Sequence, residues 1–81
     1  MSDTHLAALK ILLDRKGHPR SDFEGTQGEI TRRLRELRED RFGAWPVAYT
    51  AKRGYYLVDD RAHPNEQVQR RRHYIEEQAR L

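Results

Sequence analysis

The sequence predicts a small α+β domain of helices and one two-stranded β-hairpin. Two segments in its first half place leucine and isoleucine at helical spacing. Residues 45–50 form a β-rich run that is followed by a glycine-containing turn and a second β-rich run. Residues 64–81 return to helical spacing behind a proline, which suits the first position of a helix. With 81 residues the chain has room for only a small core.

The composition excludes several classes of protein. Cysteine is absent, so disulfide frameworks, thiolate zinc sites and cysteine nucleophiles are ruled out. No stretch approaches the roughly 18 apolar residues that span a bilayer, and no signal-peptide pattern is visible, so we expect a cytoplasmic protein without membrane contact. The net charge is +3, and 13 of the 16 basic residues are arginine, whose planar guanidinium matches phosphate oxygens.

The first helix is predicted over Thr4–Lys16. Asp3 or Thr4 is a suitable N-cap, and Gly17 stands where a left-handed residue ends many helices. Pro19 then prevents continuation. The apolar stripe of this helix consists of Leu6, Leu9, Leu12 and Leu13.

A second helix is predicted over Thr26–Asp40, after a loop that contains at most one helical turn at Ser21–Glu24. Thr26 and Glu29 fit the capping-box pattern, and Gly43 is the expected stop. The apolar stripe is Ile30, Leu34 and Leu37. Opposite charges at i,i+4 spacing predict the pairs Glu29–Arg33, Arg32–Glu36 and Arg35–Glu39.

The hairpin is predicted over residues 45–59. The turn is Ala51–Gly54, in which Gly54 supplies a positive φ angle. The return strand is Tyr55–Val58, and the turn carries two adjacent cations. Alternation along the strands places Val47, Tyr55 and Leu57 on the inner face and leaves Tyr49 and Tyr56 partly exposed.

We predict two units, a first domain over residues 1–60 and a C-terminal basic helix over residues 61–81. Its apolar stripe is thin and consists of Val68, Ile75 and Ala79, widened by Tyr74 and Leu81. Such a helix either packs on the first helix or pairs with a second copy of the chain to make a homodimer. The basic run 70–72 either contacts phosphate or pairs with Glu76 and Glu77.

Three segments carry a resemblance to a known family. They are Leu34–Asp40 (LRELRED), Trp45-Pro46-Val47 and Arg53–Leu57 (RGYYL). Together they resemble the helix and wing of winged helix-turn-helix domains of the biotin-repressor and DeoR-like type, and the chain is similar to small phage and prophage winged-helix proteins. The resemblance covers about residues 26 to 80. It implies that the unit over residues 1–60 is a winged-helix domain, and that this small winged helix-turn-helix fold binds double-stranded DNA as a transcriptional regulator or excisionase-like accessory factor.

The chain departs from the family in one respect. The family has two helices between the first helix and the hairpin, whereas only residues 18–40 are available here. Either Pro19–Glu24 is a shortened second helix and Thr26–Asp40 is the recognition helix, or the two helices have merged. We favour the first interpretation.

On that interpretation the N-terminal half of the recognition helix enters the groove. Gln27 suits adenine and Arg32 suits guanine. Thr31 and Arg35 suit phosphate, and Gly28 permits close approach of the backbone at a helix N-terminus that favours anions. The complete set of predicted DNA-contacting residues is Gln27, Gly28, Thr31, Arg32, Arg35, Arg38, the wing cations Lys52 and Arg53, and Arg20, with Arg41 as a further flanking contact.

Other interpretations of the same residues stay open. Interleaved arginine and glutamate is also typical of a solvated helix, and Tyr49, Tyr55 and Tyr56 either stack on bases or pack the hairpin. The alternative function is a protein–protein interaction module on the same scaffold, for example a phage inhibitor of a host protein. No catalytic motif and no metal-ligand spacing is present, so we expect neither enzymatic activity nor a metal or other cofactor.

Overall fold

The computed structural model describes residues 2–58 and 63–80, and it has the α+β architecture that the sequence predicts. Two strands pair as an antiparallel hairpin, in which Val47 lies opposite Leu57 and Thr50 lies opposite Gly54. The elements in chain order are α1 (Asp3–Leu12), a 3-10 turn (Arg20–Asp22), α2 (Gln27–Glu36), a second 3-10 turn (Asp40–Phe42), β1 (Val47–Thr50), β2 (Gly54–Leu57) and α3 (Glu66–Arg80).

All three helices and the hairpin contribute to one hydrophobic core. Leu9 and Leu12 of α1 are fully buried at its centre, and Trp45 lies beside them at the start of the hairpin. The Trp45 indole donates a 2.6 Å hydrogen bond to the Phe42 carbonyl, which satisfies its polar atom. The core also contains Ala8, Phe23, Ile30, Leu34, Leu37, Val47, Leu57, Ile75 and Ala79.

The ends of α1 differ from the prediction. Ser2, rather than Asp3 or Thr4, is the N-cap. The helix stops at Leu12 instead of Lys16, because the Asp14 carboxylate accepts a 2.8 Å hydrogen bond from the Lys16 amide and Arg15 takes the left-handed conformation (φ 60°). The residue predicted to be left-handed, Gly17, has a different role that is described below.

The second helix begins as predicted but ends early. The Thr26 hydroxyl accepts a 3.3 Å hydrogen bond from the Glu29 amide, which confirms the N-cap. The prediction that the helix continues to Asp40 is wrong, since α2 ends at Glu36. The Leu37 carbonyl instead accepts a 2.8 Å hydrogen bond from the Trp45 amide, and Gly43 (φ 107°) closes the second 3-10 turn.

The three i,i+4 ion pairs predicted on this helix are not formed among the described residues. Arg33 donates to the Glu24 carbonyl at 2.8 Å. Glu36 lies 3.2 Å from the His5 ring and 3.6 Å from the Arg41 guanidinium. These partners lie on α1 and in the flanking loops, so tertiary contacts replace the pairs expected from helical spacing alone.

Helix α3 packs against α1 and the second 3-10 turn, and its predicted stripe of Val68, Ile75 and Ala79 is buried. The basic run is largely structural. Arg72 donates to the carbonyls of Gly43 and Ala44, while Arg70 pairs with Glu66 rather than with Glu76 or Glu77. The predicted boundary between residues 60 and 61 lies outside the described residues. No helix in the described part of the chain is long and apolar enough to cross a membrane.

Candidate nucleic-acid interface

The hairpin is fixed beside the loop that precedes α2. The His18 amide donates a 2.9 Å hydrogen bond to the Tyr55 carbonyl, and the Tyr55 amide donates a 2.8 Å hydrogen bond to the His18 carbonyl. This reciprocal bridge uses the edge of β2 that does not pair with β1. The turn of the hairpin is therefore held at a defined distance from the N-terminus of α2.

Two glycines allow this close approach. A Cβ atom on Gly17 would lie 2.0 Å from the Arg53 carbonyl oxygen, and one on Gly54 would lie 2.3 Å from the His18 carbonyl oxygen. Gly54 also has the positive φ angle that the sequence predicts, at 77°. Gly17 is thus required for contact between backbones and does not cap α1.

A cleft of about 620 Å³ lies between the hairpin turn, the first 3-10 turn and the N-terminus of α2. It brings together several of the residues predicted to contact DNA, although they are far apart in sequence. We call it the basic cleft. Its polar and aromatic lining consists of Arg20, Gln27, Tyr49, Lys52, Arg53 and Tyr55.

The two flanks of α2 differ in how far their side chains are engaged with the rest of the protein. At about 100° of rotation per residue, Gln27, Thr31 and Arg35 follow one line along the helix, and Gln27 is the member that reaches the basic cleft. Glu29, Arg33 and Glu36 lie on the other flank, where Arg33 and Glu36 contact Glu24 and α1. We call five of the exposed residues the outer face of α2, namely Gln27, Gly28, Thr31, Arg32 and Arg35; Glu29 is also exposed.

Some of the side chains predicted to contact DNA already bind other residues of the protein, and others do not. Four of the cations predicted to contact DNA have side chains that make no hydrogen bond or ion pair with any other residue in 2–58 and 63–80. They are Arg20, Arg32, Arg35 and Lys52. Arg38 donates to the Val47 carbonyl at 2.8 Å, so it attaches the end of α2 to β1. The flanking residue Arg41 pairs with Glu39 at 3.0 Å.

Arg53 is only partly bound within the protein. Its guanidinium lies 3.7 Å from the centre of the Tyr56 ring and donates to the Arg15 carbonyl at 3.1 Å. It lines the basic cleft, yet part of its donor capacity is used to hold the hairpin turn against the segment after α1. Lys52, one residue earlier, is exposed and makes no such contact with the described residues.

No close contact within the protein explains why residue 28 is a glycine. A Cβ atom there would meet nothing within 4 Å, and the residue is exposed in the first turn of α2. Glycine inside a helix costs up to about 1 kcal/mol relative to alanine. The fold therefore does not require glycine at this position, which agrees with the predicted approach of an anionic ligand to the backbone.

His18 also anchors the loop through its side chain. One ring nitrogen lies 2.8 Å from the Asp14 carboxylate and the other lies 2.9 Å from the Asp22 carboxylate. Because carboxylates only accept hydrogen bonds, both contacts favour the doubly protonated ring. The hydrogen bond that the His18 ring donates to Asp14 is the main cause that raises the pKa of His18, and the same bond lowers the pKa of Asp14.

These shifts predict a pH-dependent stability. The pKa of His18 is raised above its usual value of 6.5, so its stabilisation is complete below that pH and is lost as the pH rises through the raised value. Thermal melting is expected to show a midpoint that falls as the pH rises above 6.5, and His18→Gln should remove most of this slope. The control is His73→Gln on the exposed side of α3, which should keep it. Equal slopes in wild type and His18→Gln would contradict the prediction.

Two features of this region were not predicted from the sequence. The first is the contact of His18 with two carboxylates, although acidic residues four positions before and after it, Asp14 and Asp22, were a usable signal. The second is the place of Tyr49 in a cleft, since base stacking and packing of the hairpin were both left open. In the structure Tyr49 is 58% exposed and lines the basic cleft.

The comparisons with known proteins return no match: no family model, no curated protein and no solved structure matches the chain. The winged-helix resemblance of its motifs therefore stays a prediction. Within the described residues, no group of three or more histidine or acidic side chains is placed to hold a metal ion.

Proposed function

We propose that this protein binds double-stranded DNA, as a small cytoplasmic transcriptional regulator or excisionase-like accessory factor of the winged helix-turn-helix type. The supporting observation is the basic cleft, in which Arg20, Gln27 and Lys52 lie together although they come from three separate elements. A surface that combines cations from a 3-10 turn and a hairpin turn with the polar N-terminus of a helix is suited to a phosphate backbone.

The outer face of α2 has dimensions that suit the major groove. The ten residues of α2 span about 15 Å, and a single helix fits the groove of about 12 Å width. Gln27 and Arg32 carry donors and acceptors of the kind that read base edges, while Thr31 and Arg35 suit phosphate. Glu36 is half-buried and lies 3.2 Å from His5 of α1, so it would not oppose the DNA, whereas Glu29 is exposed.

The cations set the expected salt dependence. Arg20, Arg35, Lys52 and Arg53 are the phosphate contacts in this proposal. Each contact contributes about 0.9 to the slope of log affinity against log salt, so four contacts give a slope of roughly −3 to −4. Arg38 and Arg41 add little, since their side chains are already bound within the protein.

Fluorescence anisotropy with a generic labelled duplex tests the proposal. We expect micromolar or tighter binding at about 50 mM salt, with the slope given above. Arg35→Ala should weaken binding and make the slope less steep by about one unit, because it removes one phosphate contact. Arg70→Ala, at an exposed position on α3 paired with Glu66, is the matched control and should change little. Absence of binding at this salt concentration would contradict the proposal.

A protein-binding role is the second candidate. It is favoured by a groove of about 380 Å³ between α1 and the loop before α2, whose lining includes the apolar residues Ala7, Ile11 and Phe23.

A homodimer through α3 also remains a proposal. Since the apolar stripe of α3 is buried within the chain, such a dimer would use Tyr74, which is 63% exposed. Sedimentation of wild type and Tyr74→Ala would detect it as a difference in mass.

A further inference from the structure

We propose that the basic cleft holds one unpaired nucleotide at the edge of a bound duplex, with its base stacked on Tyr49. This inference rests on the proposed DNA binding and specifies the class of DNA, which is a duplex that continues into a single-stranded segment. It assigns Tyr49 as a ligand-contacting residue, in addition to the cations that bind the backbone.

Tyr49 packs against another aromatic ring of the hairpin and is also exposed to solvent. Its ring lies 4.8 Å from the Tyr55 ring, and Tyr55 in turn makes an edge contact with the buried Phe23 at 5.9 Å. More than half of Tyr49 is nevertheless exposed. The third hairpin tyrosine, Tyr56, differs because the Arg53 guanidinium covers its ring. Tyr49 is thus the hairpin tyrosine with a ring available to a ligand.

The lining of the cleft supplies the remaining contacts that a nucleotide needs. Arg20 and Lys52 provide positive charge for its phosphate, and neither side chain is engaged with other described residues. The Gln27 side-chain amide carries both donors and an acceptor for the edge of a base. The volume of about 620 Å³ lies within the range of roughly 300–1,000 Å³ that is usual for small-molecule sites.

An aromatic ring distinguishes unpaired from paired DNA. Inside a duplex both faces of each base are covered by neighbouring bases, so a side chain can stack only on a terminal, displaced or single-stranded base. Cations alone would bind the phosphates of an intact duplex as well as those of an unpaired strand. An exposed tyrosine among cations is the combination found in sites for single strands, where stacking on one base changes affinity by about tenfold.

The test compares a blunt duplex with the same duplex extended by a single-stranded tail of about three nucleotides, at one salt concentration. Wild type is expected to bind the tailed DNA about tenfold more tightly than the blunt DNA. Tyr49→Ala should bind both equally, and Tyr49→Phe should keep the preference because it keeps the ring. Val58→Ala is the control, a change of an exposed apolar side chain just after β2 and outside the cleft, and it should behave as wild type.

A second readout uses wild type alone and does not depend on how the variants fold. A fluorescent adenine analogue placed in the tail is expected to be quenched on binding, as stacked bases are. Equal affinity for blunt and tailed DNA, with no quenching, would overturn the inference while leaving duplex binding intact. Failure to bind either DNA would instead contradict the proposed function itself.

Discussion

Gly54→Ala is expected to lower the melting temperature by about 15 °C. The substitution forces alanine into a left-handed conformation, at a cost of about 1–2 kcal/mol. It also places a methyl group 2.3 Å from the His18 carbonyl oxygen, where backbone and not a flexible side chain must move. A total loss of about 3 kcal/mol corresponds to a shift of this size in a domain of this length. Circular dichroism or calorimetry would measure it.

Gly28→Ala is the matched control for this experiment. It makes the same chemical change at an exposed helical position where the added methyl group meets nothing within 4 Å. We expect the melting temperature to be unchanged or to rise by a few degrees, because alanine is the better helix former. If Gly54→Ala melted within a few degrees of wild type, the hairpin could not be held against the segment at His18 as described.

The double substitution Arg20→Glu/Lys52→Glu is expected to weaken duplex binding by at least about 100-fold at about 50 mM salt. Both side chains line the basic cleft, and neither is engaged with other described residues. Reversal replaces two attractive contacts to phosphate by two repulsive ones. Both positions are exposed, so thermal stability should change little. Anisotropy and thermal melting of the same preparation would separate binding from folding.

Arg70→Glu/Arg80→Glu is the control for charge. It alters the net charge of the protein by the same amount, but at exposed positions on α3, where the arginines pair with Glu66 and Glu76. We expect only a modest loss of affinity from the change in overall charge. If both double variants weakened binding equally, the effect would be one of net charge and the basic cleft would not be the binding surface.

The order of the elements could be predicted from the sequence, but their ends could not. Helical spacing of leucines and the glycine of the turn are local signals, and they correctly indicated three helices and a hairpin. Helix α2 stops at Glu36 because the Leu37 carbonyl bonds to the Trp45 amide. That contact depends on how the chain returns through the core, and no pattern within the helix encodes it.

The sequence could predict which residues form the candidate site, but it could not predict all of their contacts. Helical spacing placed Gln27, Thr31 and Arg35 together on the outer face of α2. The sequence could not indicate that Arg38 and Arg53 bond to backbone carbonyls, because those acceptors lie on segments brought near by tertiary packing. For the same reason, the ion pairs expected from i,i+4 spacing are replaced by contacts with α1 and the flanking loops.

An NMR titration of isotope-labelled protein with a short duplex tests the central claim most directly, since it maps the bound surface residue by residue. We expect the largest amide shifts at Gln27 and Thr31 on the outer face of α2, and at Lys52 in the basic cleft. Amides on the exposed side of α3, such as Tyr74 and Gln78, should move little. Shifts concentrated on α3, with none around the cleft, would contradict the proposed interface.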